Sequence, residues 1–262
     1  MGKLTGKSLV VVGGTTGMGW ASALAFVREG ARIVAVGRDG ESVADTAKAL
    51  GDSGVAFAGD AAQPQTAAQA IQVCCEKFGG FHGLFHVAGG SGRKFGDGPL
   101  HEVTDEAIQA TLDLNLKPVI LSNRAAIRSW LEKNQGGVIL NMGSVLADSP
   151  SPAFFSTHIY ATAKAAIAGL SRSLAACYAR HNIRVNVLAP GLIDTPMARR
   201  AATDPAIQQF IATKQPLDGG RMGRIEDIEA AAVFLMSDGA RFVTGQVLAV
   251  DGGWGVSEGQ IP

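Results

Sequence analysis

Tyr160 and Lys164 are the residues in this sequence whose types and spacing are best suited to chemistry. A separation of four positions places both side chains on the same face of an α-helix. An ammonium group close to a phenol stabilises the phenolate, so it lowers the phenol pKa from about 10 toward neutral pH. We therefore predict that Tyr160 exchanges a proton with a carbonyl or alcohol oxygen, and that Lys164 lowers its pKa.

Seven short apolar segments alternate with segments of helical periodicity, and these elements must position the pair. The apolar segments are residues 8–12, 32–36, 55–58, 83–87, 138–142, 184–188 and 247–250. Continuous rather than alternating apolar strands are typical of a parallel sheet covered by helices on both faces. The sequence therefore predicts an α/β fold, a single doubly wound Rossmann-type domain over residues 1–262 with a parallel sheet of about seven strands.

A glycine-rich turn follows the first predicted strand and leads into a predicted helix over residues 20–29. Glycines allow the backbone to turn sharply and to approach a pyrophosphate, while the helix directs its free amides and positive dipole end at the anion. Ligands of doubly wound sheets bind at the carboxyl ends of the strands, where this turn lies. The turn predicts a dinucleotide site that includes Gly13, Thr15, Thr16, Gly17, Met18 and Gly19.

The composition argues against several other functions. The 23 basic and 23 acidic residues give a formal net charge of zero, which disfavours nucleic acid or an anionic membrane as the main partner. The three cysteines lack metal-ligand spacing, so we predict no metal site and expect reduced thiols. No apolar run is long enough to span a membrane, and we expect a cytoplasmic protein that acts on a small molecule.

The spacing Gly-x-x-x-Gly-x-Gly, together with Tyr160 and Lys164, resembles the short-chain dehydrogenase/reductase family, in the branch of single-domain enzymes of about this length. The resemblance extends from about residue 4 to residue 254. It implies a catalytic set of Asn115, Ser144, Tyr160 and Lys164. Ser144 would hydrogen-bond the substrate carbonyl, Lys164 would hold the cofactor ribose, and Asn115 would lie at a helix kink holding a water that relays protons to Lys164.

The resemblance also assigns cofactor contacts beyond the glycine turn. They are Asp60, Ala61, Ala88, Gly89, Pro190, Gly191, Ile193 and Thr195, in addition to Tyr160 and Lys164. Two positions depart from the family pattern, because Val87 replaces the usual asparagine and Val12 replaces a common threonine. The substitution at Val87 puts one supporting hydrogen bond in question, while Ala88 and Gly89 remain.

The end of the second predicted strand bears on the choice of cofactor. An acidic residue there would accept hydrogen bonds from the adenosine ribose and repel a 2′-phosphate. Gly37 occupies that position and Arg38 follows it. A guanidinium binds phosphate through paired, charge-assisted hydrogen bonds. The sequence therefore favours NADP(H) over NAD(H).

Three interpretations of the function are open from the sequence. The leading one is a nicotinamide-dependent oxidoreductase that interconverts a carbonyl and a secondary alcohol. The second is a reductase of 3-oxoacyl thioesters, in which Arg93 and Lys94 would contact a phosphopantetheine arm. The third is a non-catalytic nucleotide-binding sensor or scaffold, which would be expected to have lost part of the catalytic set.

Two further expectations concern assembly and the histidines. Predicted helices over residues 116–131 and 161–179 would form one interface, and the segments 228–236 and 247–250 a second. Repeated two-fold symmetry would give a homotetramer. His86 lies in a predicted strand and is interpreted as a core residue, whereas His158 stands close enough to Tyr160 to reach the rim of a pocket.

Overall fold

The computed structural model describes residues 2–261, in which strands and helices alternate along the chain. The strands are β1 (Ser8–Val12), β2 (Arg32–Gly37), β3 (Gly54–Ala58), β4 (Gly83–His86), β5 (Gly137–Met142), β6 (Ile183–Pro190) and β7 (Val247–Val250). The α-helices are α1 (Gly17–Arg28), α2 (Gly40–Leu50), α3 (Thr66–Phe78), α4 (Asp105–Asn115), α5 (Lys117–Glu132), α6 (Pro152–Phe155), α7 (His158–Tyr178), α8 (Arg199–Thr203), α9 (Pro205–Lys214) and α10 (Glu229–Met236). All seven predicted strands are present. Helix α1 begins earlier than predicted, because the last two glycines of the turn, Gly17 and Gly19, already belong to its first turn.

The seven strands form one parallel sheet in the order β3-β2-β1-β4-β5-β6-β7. The direction of the strand order reverses between β1 and β4, which pair directly. Connections on the two sides of this point lead away from each other, so they leave a crevice at the carboxyl ends of the strands. The predicted doubly wound α/β fold is confirmed.

The apolar strands are continuous because each contributes to two cores. Successive side chains of a strand point to opposite faces of the sheet. In β1, Leu9 and Val11 pack on the face covered by α1 and α10, whereas Val10 and Val12 pack on the face covered by α3 and α5. Both faces of the sheet are therefore buried, and the carboxyl edge is left to bind ligands.

A third apolar cluster lies outside the sheet and is built from the segments that follow β5, β6 and β7. Phe210 of α9 meets the Trp254 ring edge-on at 6.0 Å between ring centroids. Phe155 of α6 packs against the same tryptophan at 5.5 Å. These aromatic contacts bring α6, α9 and the chain after β7 together beside the crevice.

No helix within residues 2–261 is long and apolar enough to cross a membrane. In the same residues, no group of three or more His, Cys, Asp or Glu side chains is arranged to hold a metal ion. The three cysteines are free, and Cys177 is exposed.

Candidate active site

The glycine turn between β1 and α1 is fixed against its neighbours by backbone hydrogen bonds. The amides of Gly13 and Gly14 donate to the Val36 carbonyl at 2.8 and 3.0 Å. Gly13 has a φ of +84°, and a Cβ there would lie 2.5 Å from the Ala88 nitrogen, so only glycine fits. A Cβ at Gly19 would lie 2.0 Å from the Gly13 carbonyl oxygen. Helix α1 therefore starts directly over the turn, and its unpaired N-terminal amides can receive an anion.

The segment after β4 is held by the backbone despite the two valines that depart from the family pattern. The Val12 carbonyl accepts hydrogen bonds from the amides of Val87 and Ala88, at 2.8 and 3.0 Å. These bonds fix the direction of the chain into Gly89 without help from an asparagine or threonine side chain. The departure at these positions therefore leaves this part of the site in place.

The two histidines considered in the sequence have different surroundings. His86 is buried, its Nε2 donates to the Ala88 carbonyl at 3.1 Å, and its Nδ1 accepts from the Ser122 hydroxyl at 2.7 Å. Burial lowers the pKa of His86 to about 3, so the ring stays neutral in the core, in agreement with its interpretation. His158 is exposed at the start of α7 and does not line the cavity described below.

The end of β2 leaves no room for an acidic side chain. A Cβ at Gly37 would lie 1.9 Å from Thr15 Oγ1, so the threonine already fills that space. Arg38 is exposed, and within residues 2–261 it forms no salt bridge. The neighbouring Asp39 carboxylate accepts the Ser42 amide at 2.8 Å and caps α2. Position 38 thus presents an unpaired guanidinium where the chain leaves the sheet.

A cavity of about 520 Å³ opens where the chain leaves β2, β4, β5 and β6. Ten predicted site residues line it: Met18, Arg38, Gly89, Ser144, Tyr160, Lys164, Pro190, Gly191, Ile193 and Thr195. Gly17 borders it, since a Cβ there would lie 3.8 Å from Thr195 Cγ2. Asp60 and Ala61 follow β3, two strands away from β1, and do not line the cavity. Most of the predicted site residues therefore lie around this one cavity at the edge of the sheet.

Tyr160 and Lys164 lie on one face of α7, as their spacing predicts. The Lys164 Nζ is 5.6 Å from the centroid of the Tyr160 ring. It donates to the Met142 carbonyl at the end of β5, at 2.9 Å. This contact holds α7 against the strand that leads to Ser144.

The pKa shifts correct one expectation from the sequence. Burial raises the pKa of the Tyr160 phenol, and a hydrogen bond from Ser144 lowers it by less. Burial also lowers the pKa of Lys164 to about 8. The predicted lowering of the Tyr160 pKa is therefore wrong in these surroundings, because desolvation of the phenol outweighs the stabilisation of its anion. A phenol that keeps its proton at neutral pH is suited to donating it to a carbonyl oxygen.

Asn115 lies at a break between two helices, as predicted. Helix α4 ends at this residue and α5 begins two residues later. Its side chain donates to the carbonyls of Gly90 and Thr111 and accepts the Gly90 amide, each at 3.0 Å. A Cβ placed on Gly89 would lie 2.9 Å from Asn115 Oδ1 and 3.7 Å from Lys164 Nζ. Asn115 and Lys164 therefore border the same small space.

A carboxylate from a distant loop caps the helix that carries Tyr160. Thr157 occupies the N-cap position of α7, but its side chain makes no capping hydrogen bond. Instead, Asp97 accepts the amides of Ile159 and Tyr160, at 3.1 and 2.9 Å. A buried negative charge at the positive end of a helix stabilises its first turn. Sequence reasoning missed Asp97, since its place in a glycine-rich segment does not reveal which helix it caps.

A buried polar network, also missed from the sequence, joins β5 to α5 and α7. Asn141 donates to Asn123 Oδ1 at 2.9 Å and to the Ser171 hydroxyl at 3.0 Å, and Asn123 donates back to Asn141 at 2.9 Å. All three side chains are buried. Since unsatisfied buried amides are costly, the network fixes the strand before Ser144 relative to the helix of Tyr160. Two isolated asparagines and a serine carry no spacing that signals such a network.

Comparison with known proteins identifies the family to which this chain belongs. Residues 12–255 match a family model described as enoyl-(acyl carrier protein) reductase. The chain belongs to the short-chain dehydrogenase/reductase family. It resembles the structure of a short-chain type dehydrogenase/reductase from Mycobacterium ulcerans with a TM-score of 0.89 and 30% identity, covering 97% of this chain and 92% of the other.

Characterised relatives of this short-chain dehydrogenase/reductase span almost its whole length. It is 33% identical over 255 residues to 2,5-dichloro-2,5-cyclohexadiene-1,4-diol dehydrogenase from Sphingobium indicum, covering 97% of this chain and 99% of that protein. It is 36% identical over 259 residues to 3beta-hydroxysteroid dehydrogenase 1 from Eggerthella lenta, covering 95% and 94%. The protein is an oxidoreductase that transfers a hydride between a nicotinamide cofactor and an alcohol or carbonyl substrate.

Proposed function

We propose that the protein is an NADP(H)-preferring enzyme that interconverts a ring-bearing secondary alcohol and its ketone, with Tyr160 as the proton donor and acceptor. The observation that carries this proposal is the joint position of Ser144, Tyr160 and Lys164 on the wall of one cavity. That cavity lies at the carboxyl ends of parallel strands and beside the N-terminus of α1. The hydroxyl groups of Ser144 and Tyr160 and the ammonium group of Lys164 therefore lie close to the turn that we propose to bind the cofactor phosphates.

The residues around the cavity fit the two ends of an NADP cofactor. The turn of Gly13, Thr15, Thr16, Gly17, Met18 and Gly19 would hold the pyrophosphate, because it leads directly into the N-terminus of α1, whose first amides have no partner within the helix. Asp60 and Ala61 would contact the adenine. Ala88, Gly89, Pro190, Gly191, Ile193 and Thr195 would surround the nicotinamide half, with Tyr160 and Lys164 at its ribose.

The preference for NADP(H) rests on the end of β2. The Thr15 side chain fills the space that an acidic residue at Gly37 would need, so no carboxylate at that position can bind the ribose hydroxyls. Arg38 adds an exposed guanidinium without a salt bridge in residues 2–261. Such a group can form charge-assisted hydrogen bonds with a 2′-phosphate.

The mechanism follows from the geometry of the side chains. A bound nicotinamide supplies or accepts the hydride. Ser144 donates a hydrogen bond to the substrate oxygen and keeps it within reach of the Tyr160 hydroxyl. In reduction Tyr160 gives its proton to that oxygen, and in oxidation it takes the proton back. Lys164 orients the ribose and, together with Asn115 and a water, returns the proton to the phenol.

A ring-bearing substrate suits the apolar part of the cavity. The apolar side chains of Leu146, Phe155, Met197 and Trp254 line the cavity. Burial of an apolar ring against such surfaces is favourable by about 25 cal/mol per Å². The two relatives named above are, by their names, dehydrogenases of a cyclohexadiene diol and of a hydroxysteroid, both ring alcohols.

We also propose a cytoplasmic homotetramer. Support for assembly comes from exposed apolar side chains on both predicted interfaces: Ile120 and Leu131 on α5, Phe234 on α10 and Leu248 on β7. The free, exposed thiol of Cys177 suits a reducing compartment. Light scattering at micromolar concentration tests the assembly, and the 27.0 kDa mass of a single chain would contradict it.

A cofactor and substrate panel tests the catalytic proposal. NADPH and NADH consumption are followed with cyclic ketones, open-chain ketones, sugars and acyl thioesters. We expect turnover of cyclic ketones and higher kcat/KM with NADPH. Turnover confined to acyl thioesters would replace the proposed substrate class, and equal use of both cofactors would contradict the role of Arg38.

A further inference from the structure

The wall of the cavity carries an unbalanced charge. Five cationic residues line it, Arg38, Arg93, Lys94, Lys164 and Arg200, whereas none of the lining residues is Asp or Glu. The chain as a whole has equal numbers of basic and acidic residues. Arg38 and Lys164 are accounted for by the cofactor. The other three cations lie in the segments after β4 and β6, on the substrate side.

Two of these cations converge on one neutral acceptor. Arg93, in the loop after β4, and Arg200, in α8, each donate from Nη2 to the Phe154 carbonyl at 2.9 Å. The Arg200 guanidinium also lies 5.7 Å from the centroid of the Phe155 ring. A guanidinium has five N–H donors, so most donors of both arginines are not used by this carbonyl. Three separate segments, the loop after β4 and helices α6 and α8, thus bring two like charges together at the cavity.

The charge of this pair is compensated only in part by a carboxylate, that of Asp97. Neither arginine forms a salt bridge in residues 2–261. Asp97 is the carboxylate that acts on Arg93, but its oxygens already accept the two amides at the start of α7. Burial and the charge of Arg200 lower the pKa of Arg93, and Asp97 raises it by less. Asp97 therefore relieves the repulsion between the two guanidinium groups only in part.

We propose that the substrate carries a carboxylate, which Arg93 and Arg200 bind while its ring lies against Phe155 and Trp254. This inference rests on the proposed function and names the substrate class more closely. Planar guanidinium groups match a carboxylate through two parallel hydrogen bonds, and its negative charge offsets one of the two positive charges and so reduces their repulsion. Lys94 lines the same wall and adds positive potential at its rim.

Matched substrates test the proposal through turnover. Wild-type enzyme is assayed with 3-oxo- and 4-oxocyclohexanecarboxylate and with the methyl ester of each. We expect kcat/KM for an acid to exceed that for its ester by about ten- to a hundredfold, the range of a charge-assisted hydrogen bond. The double variant Arg93→Gln/Arg200→Gln should lose this preference, so that its kcat/KM for an acid falls to about that for the matching ester.

The control variant is Arg199→Gln, which removes a neighbouring exposed arginine that does not line the cavity. It should retain the preference for the acids. An equal loss on acids and esters in the double variant would overturn the proposal, because it would show that the two arginines only hold residues 152–155 in place. Equal rates on acid and ester in the wild type would also overturn it.

A binding measurement separates this inference from the proposed chemistry. Cyclohexanecarboxylate and cyclohexanecarboxamide, which cannot react, are titrated by calorimetry into the wild type with and without NADP⁺. Tighter binding of the carboxylate, lost in the double variant, supports the anion site even if no ketone is turned over. Equal affinities, or tighter binding of a phosphopantetheine thioester than of the carboxylate, would overturn the proposal.

Discussion

The two halves of the cavity are held in place by different means. The strand-end half (residues 13–19, 37–38 and 87–89) is fixed by backbone hydrogen bonds to the ends of β1 and β2, with no room for a Cβ at Gly13, Gly19 or Gly37. The loop half (residues 91–98, 145–157 and 192–201) is fixed by side chains, among them Arg93 and Asp97. Backbone contacts preserve one geometry for one cofactor, whereas side-chain contacts can be exchanged to suit another substrate.

The strongest test of this division is Tyr160→Phe, which removes one hydroxyl at the junction of the two halves. Turnover should fall by at least about a hundredfold, because no other group on α7 can deliver the proton. The dissociation constant of NADPH, measured by fluorescence titration, should change by no more than about tenfold, since the variant removes at most one hydrogen bond to the ribose and leaves the backbone contacts of the strand-end half untouched. Turnover at the wild-type rate would contradict the proposed mechanism.

The same division explains how much of the site could be predicted. The strand-end half follows from short-range patterns: glycines at fixed offsets after an apolar strand, and a spacing of four between Tyr160 and Lys164. In the loop half the partners are far apart in sequence, because Asp97 caps a helix some sixty residues later and Arg93 and Arg200 meet at Phe154. No local pattern encodes such contacts. The pKa of Tyr160 was predicted in the wrong direction for a related reason, since burial is set by the assembled fold.

The second test concerns Lys164, whose buried ammonium group lies between the two halves. The variant is Lys164→Met, which removes the charge. The pKa of Lys164 is about 8 in the folded protein, against 10.5 for an ordinary lysine. Between these values the unfolded state binds more protons at this side chain, so Lys164 should contribute an increase of about 3 kcal/mol to the free energy of unfolding as the pH rises. Urea unfolding of the protein without cofactor, measured from about pH 8 to pH 10.5, tests this.

The Lys164→Met variant has no charge to neutralise and should lack this increase, so the difference in stability between the two proteins should change across the same window. The exposed Lys117, replaced in the same way, serves as the control and should leave the pH dependence of the wild type unchanged. If the free energies of unfolding of the wild type and of Lys164→Met change with pH in parallel, burial does not lower the pKa of Lys164.

The third test acts on the strand-end half alone. Arg38→Ala should weaken NADPH binding by about ten- to a hundredfold through loss of charge-assisted hydrogen bonds, and should leave NADH binding nearly unchanged. Arg32→Ala is the matched control, because Arg32 begins the same strand and donates to the Asp52 carbonyl. Calorimetric titration of both cofactors measures the effect. An equal loss for NADPH and NADH would show that Arg38 supports the local fold rather than a 2′-phosphate.

The last test asks whether the loop half sets the position of Tyr160. In the variant Asp97→Asn, the side-chain oxygen can still accept one of the two backbone amides at the start of α7. The side-chain NH₂ group then faces the other amide, and two donors cannot form a hydrogen bond. We expect a loss of about 1–3 kcal/mol in the free energy of unfolding. We also expect kcat to fall by about tenfold, since small displacements of a proton donor are costly, while NADPH affinity should not change.

The matched variant for this test is Asp39→Asn, which alters the carboxylate that caps α2 in the strand-end half. Asparagine is as good a helix cap as aspartate, so stability and kcat should stay close to wild type. A merely structural role for Asp97 would lower stability and leave kcat per folded enzyme intact. A fall in NADPH affinity as large as the fall in kcat would mean that the loop half also shapes the cofactor site, and the two halves would then have to be treated as one unit.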